Sequence, residues 1–161
     1  MSDQAPGSAQ QPSLQIEKLY VKDLSLEVPD APQVFAQQVQ PEVEVQITTS
    51  GQQFAESYFE VAVACTVTAK AGDRTLFLAE AVQAGIFSIR NVPAEQLDPL
   101  IGIACPQILF PYLREAISDL VTRGGFPPVL LSPVSFEALY MQRMQQAQQQ
   151  QGGGPQIEIA R

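Results

Sequence analysis

The stretch Phe59–Ile89, FEVAVACTVTAKAGDRTLFLAEAVQAGIFSI, decides how the chain is read. Phe59, Val61, Val63, Cys65 and Val67 alternate with Glu60, Ala62, Ala64, Thr66 and Thr68. A period of two is the mark of a strand with two unlike faces. Ala71-Gly72-Asp73 is a hairpin signal. Leu76–Ile89 then reads as a long return strand, apolar on both faces, with Gly85 as a kink.

The same period extends upstream. Leu14 and Ile16, then Leu19 and Val21, then Leu24, Leu26 and Val28 are spaced by two, with slips of phase between the groups. Such slips predict an interrupted or bulged strand. Pro29, Pro32 and Pro41 bracket a connection. Val43, Val45 and Ile47 alternate with Glu42, Glu44, Gln46 and Thr48, a half-buried strand that Gly51 is expected to end in a turn. Downstream the period changes. Ala94–Val121 carries helical spacing, with Leu97 and Ile101, then Leu109, Leu113, Ile117 and Leu120. Pro106 and Pro111 interrupt it, so the helix is expected to start near one of them, and Gly124-Gly125 ends it. Phe126–Leu131 reads as an extended linker. Ser132-Pro133 supplies a cap and a first-turn proline for a second, shorter helix. Strands first and helices afterwards predict an α+β fold: a four-stranded antiparallel sheet with two C-terminal helices on one face. The domain is expected over 14–146. Polar residues 1–13 and the Gln/Gly-rich residues 147–161 are expected to be disordered flanks.

Composition limits the chemistry. The chain has 161 residues, 45% of them hydrophobic and 16% charged, which suits one domain with a real core and not a disordered chain. Its net charge of −8 repels nucleic acid and anionic lipid. It has no His, so the usual general base and the commonest metal ligand are missing. Cys65 and Cys105 lie in apolar stretches and read as reduced, buried thiols. The first residues lack a signal-peptide pattern and no apolar run reaches membrane-spanning length, so a cytoplasmic protein with no membrane insertion is expected.

The charged surface is uneven. Between Asp23 and Ala69 there is no basic residue, while Asp23, Glu27, Asp30, Glu42, Glu44, Glu56 and Glu60 fall in that stretch. Strand alternation places these carboxylates mainly on a shared outward face. That face is either a solvated surface or a docking surface for a basic partner. Glu42 and Glu44 as an acid–base pair are set aside, since carboxylates on an open sheet keep ordinary pKa values. No metal-ligand spacing, phosphate loop or dinucleotide fingerprint occurs, and no metal or other cofactor is expected. Leu76–Ile89 and Leu100–Leu120 carry more apolar surface than one small domain can cover, which predicts homo-oligomerisation. Phe136, Tyr140, Met141 and Met144 form an aromatic and Met stripe that is either core or a lid over a groove.

Four segments carry a family resemblance: YVKDLSLEVPDAPQVF (Tyr20–Phe35), QPEVEVQI (Gln40–Ile47), AGIFSI (Ala84–Ile89) and CPQILFPYLREAISDLVTRGGFPPVLLSPVSFEALY (Cys105–Tyr140). On these the chain resembles the SecB family of preprotein-export chaperones, from about Gln15 to Gln146. The resemblance implies a tetramer assembled as a dimer of dimers. It implies an ATP-independent holdase that binds unfolded secretory preproteins, keeps them translocation-competent and delivers them to the SecA motor, in a cytoplasm of the Gram-negative bacterial type. It implies that SecA's small basic zinc-carrying C-terminal segment docks on the acidic sheet face, here at Asp23, Glu27, Leu78 and Glu80. The zinc belongs to the partner. Client-binding positions implied by the family are Val43, Val45, Ile47, Phe136, Tyr140 and Met144. The tail departs from the family, carrying Gln-rich sequence and Ile157-Glu158-Ile159-Ala160-Arg161 where family tails are often acidic. An adaptor of the same fold serving a dedicated partner, such as a toxin–antitoxin system, is the alternative. A small-ligand or enzymatic domain would need a closed pocket with perturbed titratable groups.

Overall fold

The computed structural model describes residues 10–152. Strand β1 (Ser13–Glu27) is followed by a short 3-10 turn at Gln33–Ala36, then β2 (Glu42–Ala55), β3 (Tyr58–Ala71) and β4 (Arg74–Arg90). All neighbours are antiparallel, in the order β1-β4-β3-β2. Helix α1 (Ala94–Pro99), a π-helical turn (Leu100–Ala104) and α2 (Cys105–Arg123) run on without a break, and α3 (Phe136–Gly152) closes the described chain. This is the expected α+β fold with a four-stranded antiparallel sheet.

Each slip of phase in β1 is a register shift, one between Ile16 and Lys18 and one between Val21 and Asp23. The two extra residues keep Leu14, Ile16, Leu19, Val21, Leu24 and Leu26 opposite the inward positions of β4. The inner face of the sheet is therefore largely apolar, with Gln83 and Thr49 as polar exceptions. Val61, Val63, Cys65 and Val67 of β3 pair with Gly85, Gln83, Ala81 and Ala79 of β4 on that face, and all four β3 residues are buried. Cys105, Leu109, Leu113, Ile117 and Val121 stand four residues apart on α2 and are completely or almost completely buried against them. Burying each Leu or Ile of that stripe contributes about 1.5–3 kcal/mol. The edge of the inner face beyond α2 stays uncovered in the single chain, leaving Ile16, Val21 and Leu24 about half exposed.

Local readings differ from the structure at five points. Gly51 does not turn the chain; β2 passes through it to Ala55, and the turn comes at Glu56-Ser57. A Cβ at Gly51 would lie 2.5 Å from Ile101 Cγ2, so glycine here lets the helix cross close over the strand. Pro106 and Pro111 both lie inside the helix, which starts at Ala94. The π turn accommodates Pro106: the Cys105 N–H bonds to the Leu100 carbonyl, widening the ladder just before it. The resulting helix, Ala94–Arg123, has 30 residues and is apolar enough by length and composition to cross a membrane. Breaking it at its prolines hid that length. The cap of α3 is Ser135, whose Oγ accepts from the Ala138 N–H at 3.2 Å, and not Ser132. Finally, α3 continues through 147–152, where a tail was expected, because Gln is a fair helix former and no Gly or Pro intervenes before Gly152. Residues 1–9 and 153–161, which complete the expected flanks, lie outside the described residues.

Helix α2 lies on β3 and β4, and the π turn before it crosses β2. Helix α3 leans on the π turn, meets α2 where the Phe136 ring lies 5.6 Å from Phe110, and reaches the sheet through Arg143, whose N–H donates to the Thr49 carbonyl at 2.8 Å.

Candidate functional site

An open trough runs along β2. At one end Val43, Val45 and Ile47 face the extended segment Pro128–Val134 across a depression of about 460 Å³. A smaller hollow lined by Ile47, Thr49, Leu139 and Arg143 joins it to a third of about 330 Å³, where Thr49 and Gly51 face Tyr140, Arg143 and Met144. Shared walls at Ile47, Thr49 and Arg143 make these one continuous surface.

The far wall is held in an extended form for identifiable reasons. Pro127, Pro128 and Pro133 disfavour helix in the residues before them. Extended backbone alternates its side chains, so Leu131 turns in and is 5% exposed while Leu130 turns out and is 75% exposed. Arg114 pins the segment, its Nε donating to the Leu131 carbonyl at 2.8 Å while its guanidinium sits 4.8 Å from the centre of the Phe110 ring. Leu130 is thus an apolar side chain displayed to solvent by a braced backbone.

The expected client-binding positions divide. Val43 and Val45 are exposed in the trough and Ile47 forms part of its floor. Met144 is partly exposed beside Tyr140. The Tyr140 ring lies over Gly102, where a Cβ would approach Cδ2 to 2.6 Å, so only glycine lets the ring seat there. Its hydroxyl donates to Asp98 at 2.7 Å, and that bond raises the phenol's pKa. Phe136 is corrected: it is 1% exposed and supports the trough from beneath without lining it. A lone aromatic at the start of a helix cannot be assigned to core or surface until the helix's neighbours are known. Leu130, Val129 and Val134 escaped the sequence reading. Their signal was the proline-punctuated alternation in Pro127–Pro133, which is too short to register as a strand.

The opposite, open face of the sheet carries the acidic positions. Residues directly opposite one another on paired strands share a face. Glu27 pairs with Leu78, Leu78 with Thr68 and Thr68 with Glu44, giving one row across all four strands. In the next row Ser25 pairs with Glu80, and Asp23 follows opposite Val82. Asp23, Glu27, Leu78 and Glu80 are therefore brought together on one face. Among the described residues Asp23, Glu27 and Glu80 form no ion pair. Two other carboxylates of the acidic stretch are spoken for. Asp30, off the strands, pairs with Arg74 at the start of β4, and Glu60 accepts from Lys22 at 2.7 Å and from the Tyr20 hydroxyl. Those two bonds hold Glu60 below the usual carboxylate range, Lys22 first. Burial, then the Glu60 contact, pushes Tyr20 up to about 12. Glu56 lies in the β2–β3 turn, away from this patch.

The arrangement offers an open apolar trough, an open acidic face and few reactive groups. Among the described residues no group of three His, Cys, Asp or Glu side chains could hold a metal ion. Burial pushes the thiols of Cys65 and Cys105 up to about 11 and 12, so both are protonated at neutral pH.

The family model described as preprotein translocase subunit SecB matches residues 7–147. The chain is 60% identical over 143 residues to the protein-export protein SecB of Chromobacterium violaceum, covering 89% of this chain and 94% of that one. It is 55% identical over 148 residues to the protein of the same name from Thiobacillus denitrificans, covering 92% and 97%. Among solved structures, a SecB-like chaperone of Mycobacterium tuberculosis in complex with a ChAD peptide from the HigA1 antitoxin superposes with a TM-score of 0.63 at 20% identity, over 76% of this chain and 91% of that one. That last likeness speaks for the fold alone.

Proposed function

Because the chain belongs to the SecB family it is a preprotein-export chaperone, and we propose that it acts as an ATP-independent holdase whose client surface is the β2 trough. An unfolded chain displays apolar side chains that a native one hides. A trough lined by exposed Val43, Val45 and Leu130 therefore binds the first and ignores the second. The exposure of Leu130 on a braced segment is the observation that carries this reading, because among the described residues little covers its apolar side chain. Clients held unfolded in this way stay competent for translocation.

The trough of one chain is shallow, so retention of a long client calls for several troughs acting together. The uncovered apolar residues Ile16, Val21 and Leu24 and the half-buried flank of the Ala94–Arg123 helix supply surface for a dimer of dimers. The patch of Asp23, Glu27, Leu78 and Glu80 suits the basic zinc-carrying segment of SecA, on the face of the sheet away from the trough. Recruitment of the motor and capture of the client then use separate surfaces, as an export chaperone of the cytoplasm requires. An adaptor role in a toxin–antitoxin system has only a fold-level likeness behind it. The relatives at 55–60% identity are named for export.

The test is suppression of aggregation. At stoichiometric tetramer and without ATP, the protein should keep a denatured, slow-folding precursor in solution while ignoring its mature, folded form. Equal indifference to both forms rejects the reading. Light scattering on the eluting particle checks the assembly, and a stable monomer rejects that part.

A further inference from the structure

The second bulge of β1 sets a lysine against the acidic patch. Val21 lies opposite Gln83 and Leu24 opposite Ala81, and both face inward, so the two residues between them, Lys22 and Asp23, both face out. Asp23 belongs to the patch. Glu80 is also near. It lies two residues along β4 from Val82, the partner of Asp23, so it stands about 7 Å along the sheet and about 4.8 Å across it. A lysine stem at this place can reach either carboxylate.

Lys22 turns the other way. Its Nζ donates to Glu60 Oε1 at 2.7 Å, reaching past β4 to β3. The row of Ala84 and Ala62 lies between, and small side chains there leave room for the stem. Glu60 is itself held: the Tyr20 hydroxyl donates to its Oε2 and Gln52 Nε2 donates to its Oε1 at 3.3 Å. Its side chain is 16% exposed. Glu80, in contrast, is exposed and has no ion-pair partner among the described residues. A carboxylate already fixed by two donors loses little freedom on taking up an ammonium, whereas an exposed glutamate must be ordered at the same time.

We propose that Glu60 is a positioning residue for docking of the basic partner segment: it draws Lys22 away from Asp23 and Glu80 and keeps the acidic patch unneutralised. The inference rests on the reading of that patch as the docking face. Lys22 turned toward Asp23 or Glu80 would cancel one of the negative charges that attract the segment, and its ammonium would compete for the same carboxylate oxygens as the segment's own cations. The bulge that aims Asp23 outward thus brings a competing cation with it, and Glu60 removes that cation from the surface.

The test is a double-mutant cycle on the full, assembled chain, with the zinc-loaded basic C-terminal segment of SecA as probe and calorimetry as readout. Glu60→Gln keeps the shape of the side chain and should weaken the segment about two- to five-fold at low salt, the size of one exposed ion pair. Lys22→Met should restore the affinity of the Glu60→Gln protein and change that of the parent much less. Equal effects of Lys22→Met in the two backgrounds, as expected if both residues act only through net charge, overturn the inference. A readout without the segment keeps the two readings apart. A carbodiimide joins an ammonium to a carboxylate in contact with it, and the linked peptides are identified by mass spectrometry. The parent should link Lys22 to Glu60, and Glu60→Gln should link it to Asp23 or Glu80. A Glu60→Gln protein in which Lys22 forms neither link overturns the inference. If the parent fails to bind the segment, the docking reading falls, while a link that moves in Glu60→Gln still establishes that Glu60 holds Lys22 off the patch.

Discussion

Replacing Leu130 with Ser separates capture from folding, because its neighbour provides an internal control. Complete burial of a leucine side chain stabilises by about 1.5–3 kcal/mol. Leu130 is 75% exposed, so folding draws on roughly a quarter of that, about 0.5 kcal/mol. The remaining 1–2 kcal/mol, roughly, is available to whatever covers the side chain. Leu130→Ser should thus barely alter resistance to urea, yet weaken each client contact by about 5- to 30-fold. Leu131, 5% exposed and anchored through Arg114, should behave in the opposite way. Leu131→Ser removes core and collapses the trough wall, with a stability loss of about 2–5 kcal/mol. Binding is read without a label, since the chain has no Trp and emission from a Trp-containing denatured client reports capture alone. Stability is read by circular dichroism in urea. If Leu130→Ser holds the client as well as the parent does, the trough is not the client surface. If it destabilises as much as Leu131→Ser, the reasoning from exposure is wrong.

Charge reversal of the acidic patch, by Glu27→Lys or Glu80→Lys, should abolish binding of the SecA segment in calorimetry while client capture persists. Loss of both together would indicate misfolding and refute separate surfaces. Gly102→Ala should push the Tyr140 ring off its seat, since carbons pack at about 3.5–4 Å and the new Cβ would stand at 2.6 Å. The bond to Asp98 then breaks, and one phenol should titrate at lower pH by absorbance; an unchanged titration curve would show that the ring keeps its place. Tyr140→Ser should weaken client binding with the assembly intact, and unchanged affinity would remove Tyr140 from the trough. Around Glu60 the pH signs differ by partner. The lowered Glu60 pKa gives stability that is present above pH 4.5 and fades as pH falls through the lowered value. The raised Tyr20 pKa gives stability that is present below pH 10 and is lost as pH climbs toward about 12. Glu60→Gln should lower the Tyr20 pKa without returning it to 10, because burial, the larger cause, remains; a full return would mean that Glu60 alone sets it.

The sheet was legible because its information is local. Alternation marks the faces of a strand wherever one face is buried, and even the two bulges of β1 showed as slips of phase, since each extra residue must shift the pattern to keep Leu19 and Leu24 inward. The acidic patch followed from the same period once strand neighbours were assigned. What failed depended on partners distant in sequence. Gly51 resembled a turn because the helix crossing above it, at Ile101, is fifty residues away. Pro106 and Pro111 resembled a helix start because a π turn that absorbs a proline has no sequence period of its own.

Sequence alone therefore settled the fold class and the bulges of β1, because strand geometry converts spacing directly into direction. Tertiary structure alone decided that Leu130 faces solvent, that Phe136 lies beneath the trough, and that Tyr140 is seated over Gly102. Burial is a property of what lies on the other side of a side chain, and only packing supplies the other side.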